Sequence, residues 1–309
     1  MLSWITKYGE KDRQGETALI TSFILILSIS YIHYTDFFNY TPSIESVVSS
    51  NYVSDEVLAL FRISCTILSL VTLSWVALDP KGSPDNPLYF KERRSRRRHS
   101  SGITRLAAFT MWHFGLFGIS FGISATCSLV HISGGDVPEW MLIASPALFA
   151  TSYACALLVT FIVSFHMIGD SIEKGYNVDH LFYWYEIVMH NLNVILLGLA
   201  MVLNNLDIEW KYLVLPIIFG IMYVFWARIY ATIAGVYIYS FLDPRLSGAP
   251  IIHIILLSIL LISFVIVMLL HTITNWNIIL GIIIISALNM SIITLKNPDK
   301  TNKDNEIKL

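Results

Sequence analysis

Trp184–Asp243 decides how this chain must fold. It reads WYEIVMHNLNVILLGLAMVLNN from Trp184 to Asn205, crosses a short polar turn, and continues as KYLVLPIIFGIMYVFWARIYATIAGVYIYSFLD from Lys211 to Asp243. Each half is longer than the ~20 apolar residues that cross a bilayer as a helix. Each also carries groups that hydrocarbon rejects: Glu186, His190, Asn191 and Asn193 in the first half, Arg228 in the second. An ionisable side chain at the centre of a membrane helix costs about 2.5–3.5 kcal/mol on insertion scales, so it asks for a function or a partner.

Outward from that stretch the chain is of one kind. Hydrophobic residues make up 55% and charged residues 14%, with a mean hydropathy of +0.64, which excludes an ordinary soluble domain. Apolar segments at 17–35, 56–78, 104–131, 141–168, 184–206, 212–240, 250–272 and 276–295 predict an all-α, polytopic transmembrane bundle of about eight spans. Cys65, Cys127 and Cys155 all lie inside apolar runs without metal-ligand spacing, so neither a disulfide framework nor a zinc site is expected.

The net charge of -2 hides an asymmetry. One set of loops collects Lys7, Lys11, Arg13, Lys81, Lys91, the arginines of Arg93–Arg98, Arg105, Lys174, Arg245 and the tail lysines, whereas the other set holds only Lys211. The positive-inside rule therefore places both termini on the cytosolic or equivalent side. The loop KERRSRRRHSS reads first as a solvated topology determinant and second as a binder of anionic lipid headgroups, and no nucleic acid partner is expected. Three regions follow: 1–103 with two spans and the basic loop, 104–272 as the helical core, and 273–309 with a last span and a charged tail. An endomembrane or the plasma membrane is the expected location, with the mitochondrial inner membrane as the alternative.

Two spans carry matching polar faces. In the third, Thr110, His113, Phe114 and Phe117 follow helical spacing, while Gly115, Gly118 and Gly122 line a neighbouring face suited to close helix contact. In the fifth, Glu186, His190, Asn193 and Leu197 repeat at helical spacing, with the acid one turn before the histidine. Thr110 follows Arg105 by five residues, and His190 lies six beyond Trp184 of the aromatic belt, so both sit about 8–9 Å into the same leaflet. A threonine and a histidine at one depth on two helices can meet.

Around that pair the sequence resembles a family. Phe109 and Thr110 near a helix start, Trp184 with Met189 and His190, the FGIMYVFW of Phe219–Trp226 and the VYIYSFLD of Val236–Asp243 resemble the androgen-induced gene 1 family of multispanning membrane proteins, over roughly residues 100–265. Its members include hydrolases of fatty acid esters of hydroxy fatty acids that use a threonine and a histidine. The resemblance implies Thr110 as nucleophile and His190 as base, and their depth suits a lipid substrate that enters from the inner leaflet. A threonine hydroxyl needs such a base before it can attack. By spacing, Glu186 is the candidate orienting acid, while Asn191, Asn193 and His113 are candidate oxyanion donors. Arg228 and Arg245 are candidates for binding a carboxylate or headgroup.

Other chemistries have less support. His113, His166 and His190 lack the clustered spacing of membrane iron sites, so no metal or cofactor is expected. No repeat relates the two halves as a transporter would require. The alternative from another class is a catalytically silent accessory subunit recruited, through the extra terminal spans, by other membrane subunits.

Overall fold

The computed structural model describes residues 4–173 and 175–298; Lys174, Lys300, Lys303 and Lys308 of the charge pattern lie outside the described residues. The protein is an all-α, multi-pass membrane bundle. Among the described residues, seven helices are long and apolar enough to cross a membrane. These are α1 (Gln14–Tyr34), α3 (Asp55–Leu78), α4 (Phe109–Ile132), α5 (Glu139–Glu173), α6 (Trp184–Leu203), α7 (Trp210–Ala234) and α8 (Ala249–Trp276). Two shorter helices complete the set, α2 (Ile44–Val48) and α9 (Ile278–Ile292). The expected eighth span is thus a helix of 15 residues, about 22 Å long by helical rise and short of a ~30 Å hydrocarbon core. It folds back beyond Asn277, whose side chain caps it by accepting from the Leu280 N–H at 3.0 Å. Its far end is held by Asn191, which exchanges two hydrogen bonds with the Thr294 backbone, at 3.1 and 2.9 Å.

Helix α5 is the centre of the bundle: 72% of its most apolar window is buried, against 17% for α1, which leaves most of its circumference to lipid. The glycine face of α4 packs on α3, where a side chain at Gly118 would run into Ser69. The Ser69 hydroxyl meanwhile donates to the Phe114 carbonyl at 2.7 Å. Further along this contact Arg62 is fully buried and donates to Ser128 Oγ at 2.7 Å, to the Ser124 carbonyl at 3.2 Å and to Asn204 Oδ1 at 2.6 Å, tying α3 to α4 and to the end of α6. A buried guanidinium is tolerable only with such partners.

Two of the helix limits that differ from the sequence expectation matter for the site. The third span does not begin at 104: Gly102–Ala107 is a 3-10 turn, Ala108 is extended, and the helix starts at Phe109. The cause is anchoring, because Arg105 donates to the Val76 carbonyl at 2.9 Å and to the Tyr185 hydroxyl at 2.8 Å, while the Ala107 carbonyl accepts from Tyr223 and Trp226, each at 3.2 Å. The sixth span ends at Ala234 and not at 240, since Gly235 turns the chain with φ +76, a conformation other residues resist. Val236–Tyr237 then becomes a short strand. In chain order the strands are β1 (Ser83–Asp85), β2 (Leu88–Tyr89), β3 (Arg94–Ser95), β4 (Arg98–Ser100) and β5 (Val236–Tyr237), all pairing antiparallel as β1–β4 and β3–β2–β5. The basic loop therefore forms two small sheets, one of which is clipped to the chain after α7.

Candidate functional site

Those strands and the ends of α4, α5 and α6 line a cavity of about 390 Å³. Thr110, Glu186 and His190 all line it. Thr110 is in the first turn of α4, where the leading backbone N–H groups lack helical partners and the helix dipole is positive. His190 lies within a π-turn, Val188–Leu192. The wider turn displaces the His190 carbonyl, which accepts from Thr160 Oγ1 of α5 at 2.6 Å. A second π-turn, Val163–Met167 in α5, carries His166 to the same cavity.

His190 Nε2 is 3.5 Å from the Glu186 carboxylate, and Nδ1 is enclosed with no hydrogen-bond partner among the described residues. Glu186 thus sits beside Nε2 and not behind the ring on the opposite nitrogen. Thr110 Oγ1 contacts the Tyr239 hydroxyl at 3.5 Å. Tyr239 arrives from the non-helical segment beyond Gly235, just before the 3-10 turn Ser240–Leu242. Burial raises its phenol above the usual tyrosine value, against the opposing Thr110 hydroxyl and the Thr110 and Phe109 backbone, so it stays protonated and able to donate near neutral pH.

The other expected site residues lie elsewhere. Asn191 holds the end of α9, as described above. Asn193 is buried, its Oδ1 3.5 Å from Thr160 Oγ1 and 2.6 Å from the Val194 N–H, and it does not line the cavity. His113 is fully buried with neither ring nitrogen partnered among the described residues, and it too is outside the cavity wall. Arg228 donates to the Tyr237 hydroxyl at 3.1 Å and to Gln14 at 2.9 Å. Arg245 is paired with Asp243 at 2.8 Å and donates to the Phe90 carbonyl at 2.9 Å. Both guanidinium groups lie over the Phe90 ring, so they join the N-terminal segment, the sheet and the loop after α7. Neither lines the cavity.

Its cations come instead from residues to which the sequence reading gave no site role: Arg105, and Arg96 and Arg98 of the basic loop. Arg98 is held by Asp85 on the paired strand, with three contacts between 3.0 and 3.1 Å. His180 also lines the wall, and burial, with Arg97 adding to it, lowers its pKa, so it is neutral near pH 7. Spacing along the chain does not announce these residues, because strand pairing and π-turns bring them together. Among the described residues no three His, Cys, Asp or Glu side chains form a metal-holding group.

Thr110, Met167, Tyr239 and Phe241 also line a second, smaller space of about 80 Å³ between α5, α7 and α8. Its other walls are apolar apart from Tyr223 and His253. Tyr223 and Phe219 of the FGIMYVFW stretch pack on Phe109 with ring centroids 5.0 and 5.7 Å away, which fixes the start of α4 beside this slot. Thr110 and Tyr239 therefore stand where a charged cavity meets an apolar slot. Compared with known proteins, this chain matches no family model, no curated protein and no solved structure.

Proposed function

We propose that this protein is a membrane-embedded lipid ester hydrolase with Thr110 as nucleophile and His190 as base, of the kind the androgen-induced gene 1 resemblance implies. The observation that carries the reading is the position of Thr110 on the shared wall of the two spaces. An ester whose hydrocarbon part occupies the apolar slot and whose polar part occupies the cavity would present its carbonyl at that wall.

In this reading His190 Nε2 takes the proton as Thr110 Oγ1 attacks the carbonyl carbon, and Glu186, 3.5 Å away, stabilises the imidazolium that forms. Tyr239 donates to the developing oxyanion, beside the positive end of α4. The imidazolium then protonates the leaving alkoxide, which departs as an alcohol. Water, deprotonated by His190, attacks the acyl-threonine, and the acid leaves as Thr110 regains its proton. Arg98 and Arg105 replace Arg228 and Arg245 as the groups that attract an anionic substrate end.

The test is covalent labelling of the detergent-purified chain with a lipid-like fluorophosphonate. Wild type is expected to label, and Thr110→Ala and His190→Ala are each expected to lower labelling and ester turnover by about 10³-fold or more at unchanged thermal stability. A folded wild type that neither labels nor hydrolyses lipid esters would remove this reading in favour of an accessory subunit.

A further inference from the structure

The apolar slot contains one group its walls do not explain. His253, in the first turns of α8, is 1% exposed and lines the slot. Its Nδ1 is 2.7 Å from the Ala249 carbonyl, and since a carbonyl only accepts, Nδ1 carries the proton. Nε2 of the neutral ring is then an acceptor, and it has no hydrogen-bond partner among the described residues. An unpaired acceptor in an apolar site is costly, so it calls for a donor from outside the protein.

Beside it Gly220 lets the tips of two leucines approach the α7 backbone, for an added Cβ would lie 2.6 Å from Leu260 and 3.3 Å from Leu257. All three residues line the slot. A hydrocarbon chain satisfies these walls, while His253 requires one hydrogen-bond donor on it. An ester or ether oxygen cannot supply that donor, because it only accepts.

We propose that the slot is a binding subsite for a hydrocarbon chain bearing a hydroxyl or amide N–H that donates to His253 Nε2, and that His253 selects for this donor. The proposal rests on the reading that the two spaces hold a lipid, but not on Thr110 being a nucleophile.

A decanol carrying a chain diazirine is the probe, cross-linked to the purified full-length chain and mapped by mass spectrometry. Cross-links are expected in the peptides around Gly220 and His253. Decanol should displace the probe about tenfold better than decyl methyl ether, which matches it in chain but has no donor. Decanamide, the amide arm, should compete like decanol if an N–H serves, and like the ether if only a hydroxyl fits. His253→Phe should bring the alcohol-to-ether ratio to about one.

Cross-links mapping elsewhere, or equal displacement by alcohol and ether in wild type, would overturn the proposal even if no variant folds. Because the probe has no ester, failed fluorophosphonate labelling with an intact alcohol preference would remove the hydrolase and leave this subsite.

Discussion

Of the helix contacts built around a glycine in this bundle, two end differently. Where α4 meets α3, Gly118 faces Ser69, whose hydroxyl is already committed to the Phe114 carbonyl, and the contact is closed. Where α7 meets α8, Gly220 faces the tips of Leu257 and Leu260, and space remains that continues to Thr110. The same residue type thus makes a seam in one place and a slot in the other. What decides is the partner: a short side chain pinned by a hydrogen bond lets two backbones close, whereas long aliphatic tips meet while their bases stay apart.

The difference can be broken at its stiff side first. Gly118→Ala should cost about 1–3 kcal/mol, because Ser69 must yield and lose its bond to Phe114, and a thermal melt of the purified chain measures it. A melt like that of wild type would mean the seam is looser than described. Gly220→Ala should change stability by less than about 1 kcal/mol, since the leucine tips can swing into the slot, while narrowing it for decanol. If Gly220→Ala proves as damaging as Gly118→Ala, the two contacts are alike and the slot is not free space.

The smallest effect concerns Tyr239, on the slot wall. Its pKa is raised in the fold, so the stability it confers is fully present below about pH 10, the ordinary tyrosine value, and is lost as pH rises through the raised one. Melting temperature should therefore fall above that pH, and less steeply in Tyr239→Phe. An identical alkaline fall in both would show that Tyr239 ionises as it would in the unfolded chain.

The cavity was legible in the sequence only in part. Thr110, Glu186 and His190, which the sequence singles out, line it. Spacing failed for Asn191 and Asn193, because the π-turn at Val188–Leu192 shifts the helix face, and Asn191 is taken up by the end of α9. Arg228 is drawn away from the cavity, because the helix stops at Ala234 and the following segment folds back over it, supplying Tyr237 as its partner. The arginine cluster reads as a solvated loop, yet β1–β4 pairing turns Arg98 toward the cavity wall.

By itself the sequence determined the membrane class and the apolar segments, because these follow from hydrocarbon rejecting charge and from the length of helix needed to cross it. The tertiary structure alone decided that the eighth segment is a short returning helix. It also decided that Tyr239 meets Thr110, and that His253 has a nitrogen unpaired among the described residues in an apolar slot. Each depends on where the chain breaks its helices and what then packs into the gap, which is set by contacts between residues far apart in the chain.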